Sequence, residues 1–417
     1  MIKEILIDSK TGQTRIAVLE DGELAELHIE SSEKGKLVGN IYRGKVERVL
    51  PGMQCAFVDI GIGKNAYLSL DGVIPLKKHL SGEKTAPVKI ESLLKQGQEI
   101  TVQVVKEEIG TKGPKVTANI TLAGNLTVLY PYSTGVGISK KIETPGERER
   151  LRKMAEELCP GEMGIVIRTA AEGVEASLVE KDLHYLLGTW EQIKKKEEKG
   201  RVPRCLYQEP GLVHRLAQAG VNSNIKRIVL NDYKEFEDLL KFLDEAAPEM
   251  KTRVEFYYKD YDLFRYYNID SAIKEALSRK VWLKSGGYLV FDYTEALTVI
   301  DVNTGKFVGK NSQDETILKT NCEAAVTIAR QIRLRDISGI ILVDFIDMKE
   351  SSHKEKVLSV LSEECKKDGT QVVVVGMTNL GLVELTRKKV RNSLSQMLTH
   401  PCPYCGGSGR IMNTETG

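Results

Sequence analysis

Two short stretches carry acidic side chains to the ends of apolar runs. LTVIDVNTGKFVGK at 297–310 delivers Asp301 and Asn303, then a glycine and two lysines, and GIILVDFIDM at 339–348 delivers Asp344 and then Asp347. Each run has the make-up of a buried strand, and in open α/β sheets the strand ends are where sites are commonly built. Two carboxylates there can share a hard cation; magnesium takes oxygen ligands in octahedral geometry, commonly one or two carboxylates with water and substrate phosphate. An ion held this way acidifies a water and neutralises charge on a phosphorus under in-line attack. Asn303 shares a face with Asp301 if the strand continues, so it would orient the water or a ligating carboxylate, and Lys306 and Lys310 lie near enough to meet phosphates. The plain alternatives are an Asx turn for Asp-Val-Asn-Thr-Gly and, for Asp347, a helix cap ahead of HKEKVLSVLSEE. That two apolar strands both end in acid brings the reading as a site level with these alternatives.

The elements that must position these residues form an α/β pattern. Between the two acidic strands DETILKTNCEAAVTIARQIRLRD reads as a helix from about residue 314, and QVVVVG at 371–376 supplies a third apolar strand. Upstream, 213–280 reads strand–helix–strand–helix through KRIVLN, KEFEDLLKFLDEA, KTRVEFYY and SAIKEALS. Residues 1–30 read as a short antiparallel meander, too small to close a core, which predicts pairing with strands much later in the chain.

From 36 to 120 the texture changes to five short strands, NIYRGKVERVL, QCAFVDIG, NAYLSL, EITVQVVKEE and KVTANITL, divided by PG, GIG, DG and KGP. That suits a small antiparallel barrel of the OB-fold kind. GIGKNA at 61–66 superficially matches a dinucleotide-binding glycine motif, but NAYLSL after it alternates like a strand, whereas that motif opens a helix. Phe57 and Tyr67 on neighbouring strands, with Lys106 and Lys112 flanking a later turn, give aromatics and cations for stacking bases and holding phosphates, unless Phe57 belongs to the core. Residues 121–212 read as an inserted α/β subdomain, in which KKKEEKGR is a solvated helix end.

A third cluster is HPCPYCGGSGR at 400–410, where the turn between Cys402 and Cys405 would aim two thiolates at one zinc. One such pair is half of a four-thiolate site, and no second C-x-x-C exists, so completion needs another subunit, a ligand such as His400, or no zinc at all. A redox reading fails because the motif does not open a helix after a strand. A shared zinc predicts a homodimer.

The totals set outer limits. At 417 residues the chain is long enough for two to four domains, and 41% apolar with 28% charged residues is the balance of a globular protein. No apolar stretch approaches a membrane span, the N-terminus MIKEILIDSKTG does not read as a signal peptide, and five of the seven cysteines are scattered singly, which together predict a cytoplasmic location. Net charge is +2, so any nucleic-acid surface must be local.

AFVDIG, KEEIGTKG, VLYP, GIVIRTA, VIDVNTGKFVG, RQIRLRD, ILVDFIDM, GLVELTRKK and CPYCGG, in this order over essentially the whole chain, resemble the ribonuclease E/G family. The resemblance implies a magnesium-dependent endoribonuclease that cuts single-stranded RNA to 5′-phosphate and 3′-hydroxyl ends, favours 5′-monophosphorylated substrates, and acts in rRNA maturation and mRNA decay. It implies that Asp301 and Asp344 hold the magnesium with Asn303 assisting, and that Arg168 and Thr169 grip the 5′-monophosphate with Gly124 and Val128 beside them and Lys140 nearby. It also implies that Cys402 and Cys405 bind zinc jointly with a second chain. The division it implies is a ribonuclease-H-like subdomain from 1–35 with 213–278, an OB-fold at 36–120, a 5′-phosphate sensor at 121–212, a deoxyribonuclease-I-like catalytic subdomain at 279–398 and a zinc-link segment, a knuckle, at 399–417.

Three departures qualify the resemblance. The sequence stops at Gly417, shortly after the zinc segment, so the small domain that follows in family members, and with it the basis for a tetramer, is not expected. Lys140 and Lys141 stand where the family often has arginines, and lysine lacks the planar two-pronged contact. The resemblance does not extend to the long scaffold tail of some members, so degradosome assembly is not expected. The competing reading is a non-catalytic RNA-binding protein with a structural zinc, or more remotely a zinc-organised assembly factor.

Overall fold

The computed structural model describes residues 2–9, 13–31, 37–74, 88–107, 113–219, 225–305, 313–405, 407 and 409. The chain forms two compact units, one of residues 1–30, 226–232 and 256–417, the other of residues 31–225 and 233–255. Among the described residues no helix is long and apolar enough to cross a membrane.

The first unit holds two sheets. The N-terminal meander is β1 (Lys3–Asp8), β2 (Gln13–Glu20) and β3 (Glu23–Ser31), and β1 pairs on its free side with β14 (Ile225–Leu230), giving the order β14–β1–β2–β3. β15 (Val254–Phe256), where the chain passes back into this unit, continues the sheet. So the meander does find its partner late in the chain. Its inward side chains, Leu6, Ala17, Leu19 and Leu27, pack with Phe264, Ile269 and Leu334.

The second sheet takes the order β16–β17–β18–β19–β21–β20, built from β16 (Lys280–Trp282), β17 (Tyr288–Tyr293), β18 (Leu297–Asn303), β19 (Gly339–Asp344), β20 (Val372–Met377) and β21 (Val383–Arg387). β18 and β19 are parallel, joined through the helix Gln313–Arg335. Alternation sends Ile300, Val302, Ile341 and Val343 into a core with Ala325, Ile328, Val357 and Leu361. The other face carries Asp301, Asn303 and Asp344, and among the described residues Asp301 and Asp344 are exposed there. The sequence reading found β18, β19 and β20 but not β16, β17 or β21; LVELTRK is too charged to look like an interior strand, yet β21 sits between β19 and β20. The reason is Arg387, buried on the core side and satisfied by Asp368 at 2.7 Å and Asp336 at 2.9 Å. Arg333 of the RQIRLRD stretch is likewise buried and pairs with Glu20, so these two charged segments serve the core.

The second unit holds a barrel and a smaller sheet. β4 (Ile41–Leu50), β5 (Cys55–Asp59), β6 (Ala66–Ser69), β8 (Lys115–Thr117) and β7 (Glu99–Lys106) follow one another around the barrel, and pairing of β7 with β4 closes it. All five expected strands are present, but the barrel is not purely antiparallel, because β6 and β8 run parallel. β13 (Arg204–Tyr207) adds to β4. The smaller sheet has the order β11–β12–β10–β9, from β9 (Leu122–Ala123), β10 (Thr127–Tyr130), β11 (Gly135–Ile138) and β12 (Gly164–Ile167). The helices Pro145–Leu158 and Ala176–Glu197 share its core through Leu151, Val179, Leu183, Leu186 and Ile193.

Candidate active site and RNA-binding surfaces

Asp301 and Asp344 are register partners at the C-terminal ends of the parallel strands β18 and β19. Their backbones are therefore one strand spacing apart, ~4.8 Å, and both side chains are exposed on the open face. The Asn303 amide donates to Asp301 Oδ2 at 2.8 Å, which fixes one oxygen of that carboxylate. The Asp344 carboxyl is held above its ordinary range, first by partial desolvation and then by the charges of Asp301 and Asp347. A divalent cation would relieve this crowding, and two carboxylates with waters are a sufficient protein share for magnesium. Among the described residues no group of three His, Cys, Asp or Glu side chains is poised as a fuller metal cage.

Asp347 does not cap the following helix, which begins at Ser351 behind Glu350. The turn after Asp344 is instead clamped by the buried Asn321, whose amide donates to the Ile346 carbonyl at 2.8 Å and whose carbonyl accepts from the Ile346 N–H at 3.1 Å. Asn321 was not singled out from sequence, since an asparagine in a helix gives no sign of a partner on the next strand. At the end of β18, Gly305 has φ +59 and lies so close to Gly286 that a Cβ would sit 2.4 Å from the Gly286 carbonyl oxygen, so the chain can turn there only with glycine. Lys306 and Lys310 lie outside the described residues.

On the barrel, Phe57 and Tyr67 are cross-strand partners with ring centroids 6.2 Å apart in an edge contact, and both are half-buried on the outer face. The core of the barrel is made by their neighbours Ala56, Val58, Ala66 and Leu68. Register places exposed Arg48 opposite Phe57 and exposed Lys115 opposite Tyr67, and Lys106 opposite Lys115. The row Arg48–Phe57–Tyr67–Lys115–Lys106 thus crosses the barrel with cations flanking two rings. Arg48 and Lys115 emerge only once the register is known. Lys112 lies outside the described residues.

Gly124, Val128, Arg168 and Thr169 converge on the smaller sheet. Val128 pairs with Val166 of β12, two residues before Arg168. Arg168 Nη1 donates to the Gly124 carbonyl at 2.5 Å, and its own N–H donates to the Leu126 carbonyl at 2.8 Å. Thr169 Oγ1 and Ser139 Oγ are 2.9 Å apart, which brings exposed Lys140 beside them through its neighbour.

The loop holding Gly124 is organised by Asp182 of the helix Ala176–Glu197. Its carboxylate accepts from the N–H groups of Asn125 (2.9 Å), Leu126 (3.1 Å) and Thr127 (2.9 Å) and from Thr127 Oγ1 (2.7 Å). A Cβ on Gly124 would lie 2.3 Å from Asp182 Oδ2. The signal was present in the sequence, because Asp182 sits within the apolar stripe Val179, Leu183, Leu186, Trp190 and Ile193, where an acid must be satisfied. Behind the loop is a cavity of about 840 Å³, bordered by Asn125, Leu126, Asp182, Tyr185, Tyr207 and Gln218.

At the C-terminal end Cys402 is exposed and Cys405 half-buried, and the Gly409 N–H points at Cys405 Sγ from 3.3 Å. A backbone donor on a sulfur in a glycine-rich turn suits a metal-bound thiolate. Two thiolates are half of a set.

Comparison with known proteins extends the motif resemblance. Residues 121–390 match the Ribonuclease E/G family. Ribonuclease G of Escherichia coli is 42% identical over 419 residues, spanning 100% of this chain and 86% of the relative. Ribonuclease G of Haemophilus influenzae is 41% identical over 416 residues, covering 99% and 85% respectively. Ribonuclease E of a Nostoc species is 37% identical over 400 residues, covering 95% of this chain and 57% of the relative. The non-catalytic alternative gives way to these matches. The chain therefore belongs to the ribonuclease E/G family and is an endoribonuclease acting on RNA.

Proposed function

We propose that this endoribonuclease is magnesium-dependent, cuts single-stranded RNA to leave 5′-phosphate and 3′-hydroxyl ends, and favours substrates that begin with a 5′-monophosphate. The observation that carries the reading is the pairing of Asp301 with Asp344 at the ends of β18 and β19. These two carboxylates hold the magnesium. When bound there, the ion supplies Lewis-acid chemistry, acidifying a water and offsetting charge on the attacked phosphate. Asn303 keeps the Asp301 carboxylate turned to the open face, and Asn321 fixes the backbone just beyond Asp344. A water oxygen joins phosphorus as the bond to the 3′-oxygen breaks, and the 3′-oxygen leaves with a proton.

The row of rings and cations on the barrel binds the strand, Phe57 and Tyr67 stacking bases and Lys106 meeting phosphate. Arg168 and Thr169 take the 5′-monophosphate, supported by Gly124, Val128 and Lys140. An arginine and a hydroxyl are suited to a terminal phosphate. Cys402 and Cys405 supply half of a zinc site completed by a second copy of the chain, making a homodimer. The setting is cytoplasmic rRNA maturation and mRNA decay.

The test compares wild type with Asp301→Asn on short single-stranded RNA carrying a 5′-monophosphate or a 5′-hydroxyl, with magnesium or chelator. Cleavage that needs both the ion and Asp301, and is faster on the monophosphate, is expected. Full activity in Asp301→Asn, or in chelator, would remove the assignment of the acid pair.

A further inference from the structure

The open face of the catalytic sheet carries a second cluster one strand away from the acid pair. Lys280, Trp282 and Tyr288 stand on β16 and β17, with Trp282 paired to Tyr288 and Tyr288 to Asn303. The next row on the same face is Lys280–Val290–Asp301–Asp344. The two rings are 5.4 Å apart at 63°, and the Lys280 ammonium lies 4.0 Å from the Trp282 centroid and 3.5 Å from that of Tyr288. Trp282 is 60% exposed. Tyr288 lies ~5 Å and Trp282 ~10 Å across the sheet from Asn303, taking one and two strand spacings.

An isolated exposed ring is unremarkable. Two rings and an ammonium in contact, held on strands whose alternate residues Val281, Leu289 and Phe291 are locked in the core, are a rigid platform. The bidentate Arg279–Asp292 pair, at 2.6 and 2.8 Å, ties the residues flanking this edge together. Flat π-faces with an attached cation match a nucleobase and its phosphate.

We propose that Lys280, Trp282 and Tyr288 form a base-stacking subsite for the single-stranded RNA beside the cleavage centre, holding a nucleotide within about two of the scissile phosphate. This rests on the reading of Asp301 and Asp344 as that centre. The subsite is made by residues other than those of the barrel row and contributes to binding of the strand at the point of cleavage.

The chain has two tryptophans, and Trp190 is buried, so the fluorescence of Trp282 reports on the subsite. Asp301→Asn enzyme is titrated with a short end-labelled oligoadenylate, and with a labelled oligomer of the same length lacking bases in its central portion, the anisotropy of the label giving the affinity of every variant. Quenching by the oligoadenylate, absent from the Trp282→Phe version, with about tenfold weaker binding in Trp282→Ala and a smaller loss in Trp282→Phe, is expected; the base-free oligomer should be insensitive to Trp282→Ala. Unchanged affinity in Trp282→Ala with no quenching overturns the subsite. Residual cleavage by Asp301→Asn would instead fault the catalytic assignment, a separate result that leaves the binding measurement readable. Thermal melting of Trp282→Ala should match wild type, since the ring is mostly in solvent.

Discussion

Asp182 offers the sharpest test of the proposed 5′-end sensor. It is 9% exposed and receives four hydrogen bonds from residues 125–127. Hydrogen bonds to a charged group are worth ~1.5–3 kcal/mol net each, so Asp182→Ala would forfeit far more than most single changes if nothing replaced them. Water can enter from the adjoining cavity, and bridging water recovers much of a lost bond, so we expect a loss of about 3–5 kcal/mol. Asp182→Asn keeps one carbonyl oxygen for the Leu126 and Thr127 donors and gives up the Asn125 contact and the charge, about 1–2 kcal/mol. The loop then no longer holds the Gly124 carbonyl firmly against Arg168. The preference for 5′-monophosphate over 5′-hydroxyl RNA, measured as a ratio of kcat/KM values, should fall by about tenfold, which is 1.4 kcal/mol. Activity on the 5′-hydroxyl RNA should change little. Gly124→Ala, which drives a methyl into the same carboxylate, should reproduce the effect. If Asp182→Asn melts lower but keeps the wild-type ratio, Asp182 supports the fold and not the sensor. If wild type shows no preference at all, or Arg168→Ala leaves it intact, the sensor itself is wrongly placed.

Two further predictions concern the ends of the molecule and its acid limit. Replacing Cys402 and Cys405 by serine should convert a zinc-joined dimer into monomers by light scattering, and a dimer that survives both the substitutions and chelator would refute the shared site. Burial against Phe242 holds the His214 imidazole below its ordinary range, with Asp238 pulling weakly the other way. A lowered folded value means the unfolded chain binds the proton more readily, so this contribution is complete above pH ~6.5 and is lost as pH falls through the folded value. His214→Phe should therefore flatten the acid limb of the melting curve against pH, and an unaltered limb would show that other groups set it.

The chemistry-bearing residues were legible where chemistry and secondary structure coincide along the chain. Asp301 and Asp344 end apolar strands, and strand ends of one parallel pair must come together, so their meeting follows from pattern alone. Phe57 and Tyr67 were readable as neighbours because they lie on consecutive strands joined by a short glycine-rich turn. Arg48 and Lys115 were not, because a β-bulge in β4 and the parallel β6–β8 pairing decide what lies opposite each ring. Lys280 and Trp282 were hidden in a strand too short to announce itself, and Asn321 depends on a contact with the turn that follows β19. β21 was missed because its buried arginine is satisfied by acids that are distant in sequence.

The placement of β1 has a consequence for how the protein is made. Its two sheet neighbours are β2, which follows at once, and β14, which the ribosome delivers only after all of β4 to β13. Until Ile225–Leu230 emerges, β1 presents an open edge of unpaired N–H and C=O groups, the kind of edge that recruits stray strands. The barrel, by contrast, draws the pairings that close its five strands from residues 41–117 and can close while that edge is still waiting. Folding during synthesis therefore proceeds from the inserted part outward, and a nascent chain gains the barrel proposed to grip RNA well before the two aspartates proposed to cut it exist.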